Sequence, residues 1–325
     1  MHPAFSVIFL TTLIGAAQGL FLALFSTQVY SEFDLLPAVG DSNFYGIGAA
    51  ISLALLIAGL VSSFFHLGHP ERAWRSAARW KTSWLSREVI ALPTMMAAVF
   101  AYGLVHLMGL DSTAFTHGEI TLSTSLFIGI FGVVATFALF LCTAMIYACI
   151  KFLQEWSSPL TVINYFLFGT ASGFTLATAL ASYLGLKEQT LFLGGWAIAL
   201  TVLVFITRSA SLYRNNRIKY KSSIQSAIGI RHNKIEQKAQ GAMGGSFNTR
   251  EYFHGKTAMF LKSIKLIFMI LVFPIPVLLL SSAISTGNTE VLAAAFIIQY
   301  VGLLAERWFF FAQANHPQNI YYQTV

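Results

Sequence analysis

The chain has 325 residues, of which 56% are hydrophobic and only 10% are charged, and its mean hydropathy is +0.67. Because a soluble globular domain carries about 25% charged residues, this composition excludes a soluble enzyme, a disordered tail, a coiled coil and a nucleic-acid-binding domain. The formal net charge of +7 therefore indicates contact with a membrane rather than with a nucleic acid.

Apolar stretches recur along the whole chain, and eight of them approach or exceed the length of about 20 residues that a helix needs to cross the hydrocarbon core. They are continuous and do not alternate, which predicts helices rather than a barrel. The sequence therefore predicts an all-α, polytopic membrane protein, with eight transmembrane helices bundled in a single membrane domain over residues 1–325. The predicted spans are Phe5–Tyr30, Phe44–Phe65, Val89–Leu110, Leu122–Ile150, Leu160–Leu184, Leu191–Ser211, Ala258–Ile284 and Val291–Phe311.

Small residues and prolines predict how three of these spans pack or bend. Gly15–Gly19 in the first span and Gly169–Gly173 in the fifth are GxxxG patterns, which favour close helix packing. Pro274 and Pro276 are expected to kink the seventh span. Glu306 and Arg307 interrupt the last span near its end and are expected to pair with each other or with a neighbour.

Lys and Arg residues are distributed unevenly between the two sides of the predicted bundle. With eight spans, both termini share a side with the loops after the second, fourth and sixth spans. That side has 19 of the 20 Lys and Arg residues, and the other side has only Lys187. The positive-inside rule therefore predicts that both termini are cytoplasmic.

The two longest cytoplasmic loops cover residues 66–88 and 214–257. In the first, Pro70 and Glu71 favour a helix start, and the pattern beyond them predicts a basic amphipathic helix in the headgroup layer. Its apolar stripe comprises Ala73, Ala77, Trp80 and Trp84, and its basic stripe comprises Arg72, Arg75 and Arg79. The second loop carries nine Lys or Arg and two Glu, which suits either attraction to anionic lipid or docking of a cytoplasmic partner.

Ionisable residues near the membrane are the natural candidates for function. His66 ends the second span and Glu88 precedes the third, so the two approach each other if these spans are antiparallel neighbours. Such a pair can exchange protons near pH 7, which suits a reaction that takes up two protons with two electrons, as quinone reduction does. Alternatively, His66 caps a helix and Glu88 pairs with Arg87 or Arg72 as an interfacial anchor.

Haem and metal sites are not expected from the distribution of His and Cys. His106 is the single histidine well inside a span, whereas haem bound between helices usually takes two ligands. His106 is therefore expected to be a satisfied polar residue near the outer face. Cys142 and Cys149 lie about 10 Å apart along one helix, too far to bond each other, and no cysteine cluster suits zinc or iron–sulfur binding.

Several short motifs resemble the membrane anchor subunits of the dimethyl sulfoxide reductase family. They are HPAFSVIF at residues 2–9, FHLGHPERA at 65–73, SWLSRE at 83–88, MGGSFNTRE at 243–251, ERWFFF at 306–311 and HPQN at 316–319. Together they extend over nearly the whole chain, and the first and last are specific.

This resemblance implies a haem-free subunit with eight helices that exchanges electrons with the quinone pool. It implies as partners a molybdopterin catalytic subunit and an iron–sulfur subunit with four clusters, docked on the cytoplasmic loops and termini. In the family, a His at the end of helix two and a Glu at the start of helix three are tied to quinol binding, and His66 and Glu88 match these positions. Arg72, Arg87 and Trp84 are further candidates, either to orient the quinone headgroup or to clamp the iron–sulfur subunit.

The charge asymmetry separates two branches of the family. In the dimethyl sulfoxide reductase anchor, the side with both termini and the quinone site faces the periplasm, whereas here that side is predicted to be cytoplasmic. A cytoplasm-facing relative is the anchor of sulfite-oxidising molybdoenzymes of the bacterial inner membrane, and the motifs of the long loop and the C-terminal tail resemble that branch more closely. That resemblance implies electron flow from sulfite to ubiquinone or menaquinone, with molybdopterin and iron–sulfur clusters only in the partners.

Three alternatives remain from the sequence. One is the anchor of another molybdoenzyme of the family, including one that oxidises quinol. Another is a secondary transporter, which the lack of charged residues in the middle of the spans disfavours. The third is a lipid-bound scaffold without a redox role.

Overall fold

The computed structural model describes residues 1–40, 43–117, 120–232, 234–236 and 252–317. Within these ranges, eight helical segments are long and apolar enough to cross a membrane, which confirms the predicted helical fold. They are α1 (Phe5–Glu32), α2 (Phe44–Phe64), α3 (Trp84–Met108), α4 (Thr124–Ala148), α5 (Pro159–Tyr183), α6 (Lys187–Asn215), the consecutive pair α8 (Ala258–Val272) and α9 (Pro274–Ala283), and α10 (Thr289–Ala312). A short helix, α7 (Ile224–Ile228), lies between α6 and α8. The sequence motif over residues 243–251 lies outside the described residues.

Side-chain caps explain where several helices begin. Ser83 accepts a hydrogen bond from the backbone N–H of Ser86, so α3 starts at Trp84 and not at Val89 as predicted. Ser123 and Ser158 cap α4 and α5 in the same way. Hydropathy alone misses such polar first turns, and the consequence here is that Glu88 lies within α3.

The helices α1 and α5 form the centre of the bundle, with most of their residues buried. A Cβ atom on Gly19 would overlap the carbonyl oxygen of Gly169, and one on Gly173 would overlap the backbone of Gly19. The two backbones therefore touch directly, as the GxxxG patterns predicted.

The seventh span bends where proline was expected to bend it. The helix α8 ends at Val272, Phe273 has φ −109° and ψ −77°, and α9 starts at Pro274. Proline has no N–H to donate and its ring collides with the preceding turn, which explains the break.

The segment between α2 and α3 differs from the prediction. Residues Pro70–Arg79 form a 3₁₀ helix rather than an α-helix. A 3₁₀ helix has three residues per turn, so Ala73 and Ser76 share a face, and the helix ends before Trp80 and Trp84 can continue the predicted stripe. The described polypeptide also forms a hairpin at the other end of the bundle, with β1 (Thr113–His117) antiparallel to β2 (Ile120–Ser123).

The two ends of the bundle differ in charge. Residues 1–4, 65–83, 149–158, 216–232, 234–236 and 313–317 lie together at one end, which we call the basic end. Here the first and last described segments meet, because the N-terminal ammonium of Met1 donates to the carbonyl of Ala314 at 2.7 Å. The hairpin and the start of α6, where Lys187 lies, belong to the opposite end.

Candidate functional site

A cavity of about 520 Å³ opens at the basic end, between α1, α2, the 3₁₀ helix and α3. Its size falls within the range of about 300–1,000 Å³ that is typical of small-molecule sites. The polar lining residues are Ser63, His66, His69, Arg72, Ser76 and Glu88, and the apolar ones are Leu10, Leu60, Phe64, Leu67, Ala73, Trp74, Leu85, Val89, Leu92 and Pro93. An apolar pocket with a few convergent polar groups suits a flat, amphipathic ligand.

Glu88 is the buried acid of this cavity, with only 8% of its surface exposed. Its Oε1 accepts a hydrogen bond from Thr143 Oγ1 of α4 at 2.5 Å. The described ion pairs of Arg72 and hydrogen bonds of Arg87 go to other groups, so the alternative in which one of them pairs with Glu88 does not match the structure. A buried carboxyl group held by a single hydroxyl is well suited to holding and releasing a proton.

His66 lies just beyond the end of α2, where its backbone N–H donates to the carbonyl of Ser63 at 3.4 Å. Partial burial against the cavity wall lowers the pKa of His66 below its ordinary value. The imidazole is therefore neutral near pH 7, and a neutral imidazole has one nitrogen that donates and one that accepts a hydrogen bond.

Arg72 supplies the positive charge of the cavity. Its Nε lies 3.5 Å from Oε1 of Glu71, and the same oxygen is 3.1 Å from Nδ1 of His69. These three side chains are exposed to solvent, so the contacts are weak. A guanidinium has five N–H donors, so Arg72 can also donate to a ligand oxygen.

Arg87 and Trp84 are not among the residues that line the cavity. Arg87 donates from Nε to the carbonyl of Trp80 at 2.9 Å and from a terminal nitrogen to the carbonyl of Lys81 at 2.8 Å. Its guanidinium carbon also lies 4.2 Å from the ring centre of Trp84. Arg87 therefore holds the end of the loop against α3, with Trp84 packed on its guanidinium, whereas His66, Arg72 and Glu88 meet at the cavity.

Sequence reasoning missed several residues of the site. Ser76 lines the cavity because it shares a face of the 3₁₀ helix with Ala73. The predicted α-helix, with its longer period, did not place Ser76 on the same stripe as Ala73. Trp74 also lines the cavity while 71% exposed. No local sequence pattern could indicate that Thr143 contacts Glu88, because the two residues are 55 positions apart in the chain.

A second polar cluster is buried in the bundle, within the last turns of α6 and α10. Glu306 pairs with Arg208 at 2.8 Å and with Arg307 at 3.0 Å, and all three side chains are at most 5% exposed. The guanidinium of Arg307 also lies 3.9 Å from the ring centre of Tyr165, a favourable cation–π contact. The expected pairing of Glu306 with Arg307 is confirmed, and Arg208 is an additional partner.

Aromatic residues connect this cluster to the cavity. Tyr147 lies one turn after Thr143 on α4, and its ring stacks on Tyr165 with centres 5.6 Å apart. The partly buried Tyr147 therefore lies between the Glu88–Thr143 hydrogen bond and the Tyr165–Arg307 contact.

Glu155 joins three segments of the basic end. It is 3% exposed, and its Oε1 accepts from the hydroxyl of Tyr220 at 2.6 Å and from the backbone N–H of Asn315 at 3.2 Å. Burial and the neighbouring carboxylate raise the pKa of Tyr220 to about 12, so the phenol keeps the proton that it donates. These contacts give the basic end an ordered surface.

Among the described residues, no three His, Cys, Asp or Glu side chains form a group that can hold a metal ion. Cys142 and Cys149 are both free thiols, as expected from their spacing. His106 packs against Tyr45 and Tyr102, with ring centres 4.8 and 4.5 Å away. Its Nε2 is buried without a hydrogen-bond partner among the described residues, so the expectation of a satisfied polar residue is wrong.

Comparisons with known proteins agree with this architecture. The family model described as "DMSO reductase anchor subunit (DmsC)" matches residues 1–313. A relative from Allochromatium vinosum, described as a subunit of sulfite dehydrogenase, is 54% identical over 326 aligned residues, which cover 100% of both chains.

Proposed function

Because the chain belongs to the DMSO reductase anchor subunit family, we propose that it binds quinone and passes electrons from a molybdenum-containing partner to the quinone pool. It is a membrane anchor subunit of a molybdoenzyme. The observation that carries the finer proposal is the cavity in which His66, Arg72 and Glu88 come together.

The chemistry of these residues supports quinone reduction. Reduction of a quinone to a quinol consumes two electrons and two protons. The carboxyl group of Glu88 donates one proton to the quinone and is reprotonated from solvent at the basic end. Neutral His66 relays the other proton, because its N–H donates to the quinone while its second nitrogen accepts a proton from solvent. The guanidinium of Arg72 orients the headgroup by donating to one of its oxygens.

The partners are proposed from the family and from the surface at the basic end. An iron–sulfur subunit docks on this end, next to the cavity, and links it to a molybdopterin catalytic subunit. Glu155, Tyr220 and Asn315 support this docking surface through their shared hydrogen bonds. Molybdopterin and the iron–sulfur clusters belong to the partners, and the anchor itself binds quinone and membrane lipid.

The substrate and the orientation in the membrane are also part of the proposal. The Allochromatium vinosum relative, whose description names sulfite dehydrogenase, favours sulfite as the electron donor. With 19 of the 20 Lys and Arg residues on one side, the positive-inside rule favours cytoplasmic termini and a cytoplasm-facing basic end in the bacterial inner membrane. Sulfite is then oxidised on the cytoplasmic side.

The experiment that tests this proposal uses the complex purified with its partner subunits. We expect sulfite to reduce both an artificial electron acceptor and a short-chain quinone. Sulfite oxidation with the artificial acceptor but not with any quinone would contradict the quinone role. A complex that oxidises another donor but not sulfite would retain the anchor role and reject the proposed substrate.

A second candidate is supported by the description of the matched family model, which names a reductase. An anchor of that kind oxidises quinol, and the same His66 and Glu88 would then accept protons rather than supply them. Quinol-dependent reduction of an acceptor by the purified complex, without sulfite oxidation, is the result that would favour this direction.

A further inference from the structure

The helix pair that forms the cavity also carries a second depression, closer to the opposite end of the bundle. It has a volume of about 170 Å³. Ala49, Ala50 and Leu53 contribute to it from α2, and Phe100, Gly103 and Leu104 contribute from α3. No ionisable side chain lines it.

The seam between α2 and α3 changes in width along its length. Near the opposite end the helices are in close contact, because a Cβ atom on Gly103 would lie 2.9 Å from that of Ala49. At the basic end the cavity of about 520 Å³ separates them. The small residues of the close contact leave the second depression on the outward face, where Ala50 is exposed and Phe100 is 56% exposed.

We propose that this seam holds the isoprenoid tail of the quinone whose headgroup occupies the cavity, so that the site selects quinones with a tail of several isoprenoid units. The inference rests on the proposed function. The polar groups of the cavity, among them His66 and Arg72, lie at the basic end, and Leu60, Leu92 and Pro93 form its apolar wall. An apolar tail leaves the cavity along that wall.

The dimensions agree with such a path. Phe64 lines the cavity and Ala50 lines the depression. Ala50 and Phe64 are 14 positions apart, which corresponds to about 21 Å along a helix axis. A tail that follows α2 from the cavity to the depression remains on one face of the same helix pair. A short-chain analogue ends before the depression.

Another outward depression provides a control. It has a volume of about 310 Å³, between α6 and the bend at Pro274, and Val202 and Phe205 line it. No ionisable side chain lines this depression, and it belongs to a different helix pair from the cavity. Its lining is apolar, like that of the depression between α2 and α3, but it lies on no path from the headgroup site.

The test compares Ala50→Phe with Val202→Phe in the purified complex reconstituted in liposomes. The side chains of Ala50 and Val202 are both exposed, so the added ring fills a depression without displacing buried packing. We expect Ala50→Phe to lower kcat/KM for a long-tailed quinone by about tenfold, equivalent to about 1.4 kcal/mol. Activity with a short-chain quinone and with an artificial acceptor should remain unchanged, and Val202→Phe should change none of the three.

Equal losses for long and short quinones in Ala50→Phe, or no loss for either, would overturn the seam as the tail site. A wild-type complex that reacts with the artificial acceptor but with no quinone would instead overturn the proposed function. A second measurement uses a quinone with a photoreactive group at the end of its tail. Labelling of residues 44–53 or 99–108 supports the inference, whereas labelling at the α6 depression or of lipid alone contradicts it.

Discussion

The hydroxyl of Thr143 donates to Oε1 of Glu88 at 2.5 Å and so joins α4 to the acid at the wall of the α2–α3 cavity. A carboxyl side chain has several rotamers, and this bond selects one of them. Thr143 thus acts as a positioning residue for the proposed proton donor.

Replacing Thr143 with Val should weaken quinone reduction without abolishing it. Loss of one hydrogen bond to the carboxyl group costs about 1 kcal/mol, or roughly a fivefold decrease in kcat/KM for a short-chain quinone. Thr143→Ser keeps the hydroxyl group and should restore the activity. Equal activity of the Val and Ser variants would show that the hydrogen bond has no role in positioning.

Glu88→Gln should affect quinone reduction much more strongly, because an amide cannot deliver the proton. Loss of a general acid typically costs a factor of about 10²–10⁴, and kcat with quinone should decrease by that order. Reduction of an artificial acceptor, which takes electrons from the partner subunits, should be unchanged. Glu290→Gln, at an exposed position in the first turn of α10, is the matched control and should behave as the wild type does.

The pH profile of quinone reduction should reflect the lowered pKa of His66. Burial disfavours the charged imidazolium, so His66 remains neutral to a lower pH than a free histidine, whose pKa is about 6.5. Activity that depends on the neutral form is therefore constant near pH 7 and falls only below pH 6.5, as the pH passes through the lowered value. His66→Gln should remove this acidic limb. A limb that persists unchanged in the variant would assign it to another group.

Glu306→Gln should destabilise the anchor, because it removes the carboxylate that both Arg208 and Arg307 contact. Removal of one partner from a buried ion pair costs about 3–5 kcal/mol. The thermal unfolding midpoint of the detergent-solubilised complex should decrease clearly, whereas the exposed control Glu290→Gln should leave it unchanged. An unaltered midpoint would mean that the two guanidinium groups find other partners.

The extent to which the sequence predicted the fold can be judged from particular elements. Continuous apolar stretches identified all eight spans, because a helix must satisfy its own backbone in lipid and must be about 20 residues long to cross it. The polar first turn of α3 was missed, since Ser83 and not hydropathy decides where that helix starts. The kink at Pro274 was predicted, because proline acts locally.

The sequence predicted that His66 and Glu88 lie close together in the candidate site, because this follows from the topology. His66 and Glu88 flank one loop between consecutive spans, so they had to lie at the same end of neighbouring helices. Thr143 and Arg208 find their partners on helices distant in sequence, and no local pattern indicates such contacts. Arg72 lies in the 3₁₀ helix and lines the cavity, whereas Arg87 lies in the first turn of α3 and donates to the carbonyls of Trp80 and Lys81. Composition alone does not distinguish these two arginines.

The cavity is tested most directly as the quinone site by the ratio of quinone reduction to artificial-acceptor reduction in His66→Ala, measured with sulfite and the complete complex. His232→Ala, at an exposed position in the loop between α6 and α8, is the control. If the cavity is the quinone site, the ratio falls by about two orders of magnitude, the effect expected for loss of a proton-transfer group, and the control retains the wild-type ratio. A wild-type ratio in His66→Ala would place quinone reduction elsewhere and contradict the proposed role of the cavity.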